Sequence, residues 1–171
     1  DVTHLIVNKS ETNAPVAIGL HPYLQIEGTL TKDLIITLNA KSRVDVDERL
    51  NPIGIQAIAD TRFDLNNGER VGDLDLDTAY CDLIADTDGI YRHSLEDNDG
   101  NVLQVWADEN YKHAQVYTTD GFNPKLGIDS AVAIEPTTAP PNAFNSGTDL
   151  KWLEPKEKWL SKWGIVLINS R

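Results

Sequence analysis

The sequence predicts an all-β protein, a sandwich of short antiparallel strands, and three observations carry that prediction. Apolar and polar residues alternate with a period of two in run after run, as side chains do along a strand. Turn clusters, Asn66-Asn67-Gly68 and Asp97-Asn98-Asp99-Gly100, separate such runs and call for left-handed backbone. No apolar repeat at helical spacing persists for three turns.

Taken in order, His4–Asn8 opens the first strand and Lys9–Asn13 is a turn. Val16–His21 reads as the next strand, with Val16, Ile18 and Leu20 toward a core and Ala17, Gly19 and His21 on the other face. Leu34–Leu38 is a short β-branched run, and Ser42–Asp47 alternates around Val44 and Val46. In Gly72–Tyr80 the alternation sets Asp73, Asp75 and Asp77 opposite Leu74 and Leu76. Tyr91–Leu95 and Val102–Ala107 flank the second turn cluster and form a hairpin. Ala114–Thr119 and Ala131–Glu135 are strands, and Trp159–Ile168, with its Trp163–Leu167 run, is a last one. No repeat, linker or low-complexity tract divides the chain, so residues 1–171 read as one unit.

Composition narrows the function. The chain has 27 acidic against 15 basic residues, a net charge of −12. Nucleic acid and anionic membranes demand cationic surface, so neither is an expected partner, and phosphorylated sugars are disfavoured. No apolar stretch is long enough to span a bilayer. The one cysteine, Cys81, forbids an internal disulfide and is expected to be a small buried side chain. An intracellular, cytoplasmic location is the default expectation.

The chemistry-bearing residues stand at the ends of two apolar runs. Val16–Leu20 delivers His21 and Ala131–Ile134 delivers Glu135, each on the face that small residues leave open. Each is followed by a proline, which holds its predecessor extended and is expected to stop ladder pairing. A carboxylate ending an apolar run is costly to bury unless hydrogen-bonded or functional. One histidine and one glutamate on a roomy face suggest an acid–base site for a small polar ligand. The Asp73-x-Asp75-x-Asp77 spacing resembles a calcium loop, but Thr78 and Ile84 stand where that loop needs glycine and glutamate. His4, His93 and His113 lack metal-ligand spacing and read as solvent or turn residues. The four tryptophans, Trp106, Trp152, Trp159 and Trp163, read as core packing.

The segments His21-Pro22-Tyr23-Leu24 after "NAPVAIGL", "LDTAY" at Leu76–Tyr80 and "VAIEPTTAPPNAFNSG" occur in the order seen in aldose 1-epimerases. The sequence resembles the later part of that galactose-mutarotase family from about Val2 to the "WGI" near its end. The resemblance implies a large twisted antiparallel β-sandwich of the galactose-mutarotase type, present here as an incomplete part. Family members carry a long N-terminal portion before the HPY strand, and this sequence does not include it. An uncovered sheet edge or apolar face is therefore expected, paired with another copy or with a missing N-terminal segment. The implied reaction interconverts the anomers of an unphosphorylated hexose, with His21 as acid at the ring oxygen and Glu135 as base at O1. The expected distance between their polar atoms, with the ring seated between them, is roughly 5–9 Å by analogy with carboxyl pairs that flank a sugar. By the same resemblance Asp77 accepts hydrogen bonds from sugar hydroxyls. Apart from it, Phe122 in Thr118-Thr119-Asp120-Gly121-Phe122 is a weaker candidate, as an aromatic, for lining the site. The chemistry requires no metal or organic cofactor. Two alternatives remain beside it: a non-catalytic sugar-binding module of the same fold, and a hexose-6-phosphate epimerase, which would want an Arg or Lys cluster that these motifs do not bring.

Overall fold

The computed structural model describes residues 1–123, 125 and 128–170. Fourteen strands and a single short α-helix order as β1 (Val2–Val7), β2 (Ala14–Val16), β3 (Tyr23–Leu24), β4 (Ile35–Leu38), β5 (Ala40–Val46), β6 (Pro52–Ala57), β7 (Glu69–Arg70), β8 (Asp77–Leu83), β9 (Tyr91–Glu96), β10 (Val102–Ala107), β11 (His113–Asn123), β12 (Ile128–Thr137), α1 (Ala143–Ser146), β13 (Lys151–Leu153) and β14 (Lys158–Ile168) among the described residues. One six-stranded sheet runs β1-β14-β10-β9-β4-β7 and a second runs β3-β12-β11-β8-β5-β6, with β13 and β2 forming a small ribbon. All pairings are antiparallel.

The core lies between the two large sheets. Ile36, Leu38, Leu95 and Val105 from the first sheet pack with Leu24, Tyr80, Val116, Val132 and Ile134 from the second. Val132 and Ile134 join the core as the period-two reading expects, but Ala131, Ala133 and Glu135 are buried as well, so both faces of β12 are covered. The hairpin is present as read, and in it Asp97 accepts from the Gly100 amide and Gly100 takes a φ of 81°. Cys81 is buried and free, and burial pushes its thiol up to about 11.

Several expectations fail for definable reasons. Val16–His21 alternates in exposure, yet beyond Val16 its ladder pairing among the described residues is a single bridge from Gly19 to Thr137, with the Ile18 amide also donating to the Thr138 hydroxyl. The Leu20 amide donates to the Pro136 carbonyl, so Pro136 turns its backbone toward this segment, on the side where it has no N–H to return. Pro22 is likewise without a donor, and the ladder breaks between the two prolines. Pro136 does not end β12, which runs on to Thr137 and pairs Pro136 with Ala114, because the missing donor faces away from β11. Asp73 belongs to a 3-10 turn, Val71–Asp73, and not to a strand. The edge strand β6 was not anticipated, because Pro52 and Gly54 mask its pattern.

None of the tryptophans is fully buried, and Trp152 is 55% exposed, so the core-packing expectation is wrong. Trp106, Trp159 and Trp163 stand on β10 and β14, inside the first sheet and half-buried, and Trp152 stands on the ribbon strand β13. Trp106 lies against Gly164, its register partner. A Cβ at Gly164 would stand 2.6 Å from the indole Nε1. Gly164→Ala should therefore cost about 1–3 kcal/mol, read as a lower urea midpoint; an unchanged midpoint would show that the ring moves aside freely.

The expected uncovered apolar surface is present at β14. Lys158–Trp163 pair with β1, but Ile165–Ile168 pair only with β10 among the described residues and are exposed. No helix among the described residues is long and apolar enough to cross a membrane.

Candidate active site

Strand register builds the site. β12 pairs with β3 through Ala133 and Tyr23, and meets Gly19 through Thr137 in the same register, which puts His21 across from Glu135. Pairs of this kind, outside the hydrogen-bonded positions, bring side chains closest. On its other edge β12 sets Glu135 beside Gln115 and Ala133 beside Tyr117; β11 then sets Gln115 beside Ala79 and Tyr117 beside Asp77. Two rows therefore cross the sheet on the face away from the core: His21, Glu135, Gln115, Ala79, and Tyr23, Ala133, Tyr117, Asp77. The alanines clear the space over which the polar side chains converge.

A cavity of about 550 Å³ opens on this face, lined among others by His21, Tyr23, Asp77, Gln115, Tyr117 and Glu135. That volume lies in the range of small-molecule sites. His21 Nε2 and Glu135 Oε1 are 3.2 Å apart, with the imidazole 56% exposed and the carboxylate 11% exposed. The expected ring-width gap between them is thus wrong. The two groups touch, because register places them as direct cross-strand neighbours. Burial pushes the Glu135 carboxyl above the usual carboxylate range; His21 opposes that shift and Asp77 adds to it. Gln115 Nε2 donates to Asp77 Oδ1 at 2.6 Å, which orients that carboxylate and leaves its other oxygen and the glutamine carbonyl for a ligand.

Phe122 is not among the residues lining the cavity. It stacks on Tyr23 at 4.5 Å between ring centres, one ring removed from His21. Gln115, Tyr117 and Tyr23 were not singled out from the sequence. The first two are legible in hindsight, since alternation through Ala114–Thr119 puts them opposite Ala114 and Val116. The segment Ala139–Pro141 closes one side of the cavity. Farther along, Asp149 is tied to the start of β11 by His113 at 3.0 Å and to Lys112, just before that strand, at 2.8 Å.

The other histidines correct the sequence reading. His93 and His113 are buried, and the half-buried His4 meets the Tyr111 hydroxyl at 3.1 Å. No group of three potential metal ligands occurs among the described residues. An adjoining cavity of about 420 Å³ shares Asp77, Ala79, Gln115 and Pro141 with the first and is lined also by Arg43, Arg62 and Phe63. The two guanidiniums stand 4.1 Å and 4.5 Å from the Phe63 ring centre. Arg43 is occupied by Asp45 and Gln56.

Residues 1–165 match the aldose 1-epimerase family, and the chain belongs to it. It is similar to the uncharacterized protein YihR of Escherichia coli (strain K12), 27% identical over 141 residues, which are 82% of this chain and 42% of that protein. Its fold is that of a galactose mutarotase-like protein from Clostridium acetobutylicum, with a TM-score of 0.81 at 21% identity, over 98% of this chain and 52% of the other. A GalM/aldose epimerase homologue from C. elegans matches with a TM-score of 0.77 at 19% identity, over 99% of this chain and 57% of its own. The chain spans about half the length of these relatives.

Proposed function

We propose that this protein interconverts the α and β anomers of a free hexose such as galactose or glucose. The observation that carries the reading is the His21–Glu135 contact of 3.2 Å at the mouth of a sugar-sized cavity. Both oxygens that must exchange protons, O1 and the ring oxygen, are bonded to C1, so one edge of the sugar meets both side chains. The sugar lies over the pair, not between its members.

Glu135 takes the proton of the O1 hydroxyl while His21 gives one to the ring oxygen. The bond from C1 to the ring oxygen breaks and the C1 carbonyl forms. Rotation about C1–C2 turns the carbonyl over. The reverse transfers then close the ring as the other anomer and restore both groups. Asp77, held by Gln115, accepts from a hydroxyl farther round the ring. A binding module needs hydroxyl partners but no matched acid and base, which favours the enzyme. We place it in the cytoplasm, where a free, buried Cys81 is at home.

One observation favours a second reading, a hexose 6-phosphate. Arg62 lines the adjoining cavity and has no carboxylate within ion-pair distance among the described residues. Asp45, Asp75 and Asp77 line it too, and so the uncharged sugar is preferred. Exchange spectroscopy of the anomeric protons tests both. Faster α–β exchange is expected for the hexose, abolished in His21→Asn, with less acceleration for the 6-phosphate. A larger effect on the 6-phosphate would reverse the preference, and none on either would end the proposal.

A further inference from the structure

We propose that Tyr23 is a positioning residue whose ring holds the His21 imidazole against Glu135, with Phe122 as its backing; this rests on the reading of His21 as the acid. The backbone alone does not fix His21. It lies in the gap of the ladder, between the last regular pair at Tyr23 and the bridge at Gly19. Its side chain is more than half exposed, and its one polar contact among the described residues is Glu135. An imidazole so placed keeps its torsional freedom unless something flanks it.

Tyr23 supplies the flank. His21 and Tyr23 are two residues apart on an extended segment and share its outer face, with Pro22 fixing the backbone between them. Their ring centres are 4.9 Å apart with planes tilted by 36°, and the next step, Tyr23 to Phe122, is 4.5 Å with a tilt of 44°. These are separations at which aromatic rings attract. Tyr23, unlike His21, is anchored by ladder pairing to Ala133. The stack thus transmits the rigidity of β12 to a residue that the prolines have cut out of the sheet. Phe122, outside the cavity lining, acts only through Tyr23.

The test compares Tyr23→Leu with Tyr23→Phe in the intact protein, by two readouts. In Tyr23→Leu, kcat should fall on the order of 10- to 100-fold with KM within about twofold, the pattern of a misplaced catalytic group. Nuclear Overhauser contacts between the His21 ring and the Glu135 side chain should weaken with it. Tyr23→Phe keeps the ring and should retain both the contacts and most of the rate. Unchanged contacts in Tyr23→Leu would overturn the proposal. A Tyr23→Phe as slow as Tyr23→Leu would also overturn it, since the hydroxyl and not the ring would then matter. Should the parent protein epimerise no aldose at all, the functional reading falls, and the contacts alone decide whether Tyr23 holds His21.

Discussion

Glu135→Gln should lower the rate of anomer exchange by roughly 10²–10⁴-fold while leaving sugar affinity nearly unchanged. Glutamine keeps the shape of the side chain and a hydrogen bond to a sugar hydroxyl but cannot take a proton. The same variant should be more stable than its parent at neutral pH. Burial, and Asp77 after it, hold the Glu135 carboxyl above the ordinary range despite His21, so the folded protein binds that proton more tightly than the unfolded chain. Above both values the ionised carboxylate costs stability, and below the ordinary value it costs none. The advantage of Glu135→Gln should therefore shrink as pH falls into the ordinary carboxylate range. By the same sign the activity of the parent should decline on the acid side at a pH above that of an ordinary glutamate. Near-normal exchange in Glu135→Gln would remove Glu135 as the base.

The second large effect is acid lability through His93. Its neighbours across the ladder are Leu38 and Val105, both fully enclosed, and its Nδ1 has no partner among the described residues. Burial pushes its pKa from 6.5 down to about 4, against a weak pull upward from Asp86. Above 6.5 the ring is neutral whether folded or not, and nothing is lost. As pH falls below 6.5 the unfolded chain gains a proton that the folded chain refuses until about 4. At about 1.4 kcal/mol per pKa unit the loss reaches ~3 kcal/mol. Urea unfolding of the parent and of His93→Leu at pH 7 and pH 4.5, as test conditions of about those values, isolates this contribution from those of the carboxylates. The variant should lose less stability between the two conditions. Equal losses would mean that His93 is protonated within the fold.

What the sequence revealed of this site follows from what period-two alternation can encode. Val132, Ile134 and Glu135 were legible because alternation along a strand sets the two aliphatic side chains on the face opposite the carboxylate, whether or not that second face is also covered. The hairpin at Asp97–Gly100 was legible because its turn chemistry is local. The contact of His21 with Glu135 was not, because register between distant strands leaves no trace in either strand's own alternation. Two prolines signal a broken ladder only when it is known which edge each faces. Gln115 carries no mark of function until Asp77 is placed beside it. His93 and His113 read as surface residues because nothing local distinguishes a histidine that a sheet will enclose.

The most direct measurement is polarimetry on freshly dissolved α-galactose and α-glucose. With catalytic amounts of the protein the optical rotation should reach its equilibrium value faster than in buffer alone, in proportion to protein concentration, and His21→Asn or Glu135→Gln should return it to the spontaneous rate. A rotation that decays at the spontaneous rate with the intact protein, for both sugars, would contradict the account.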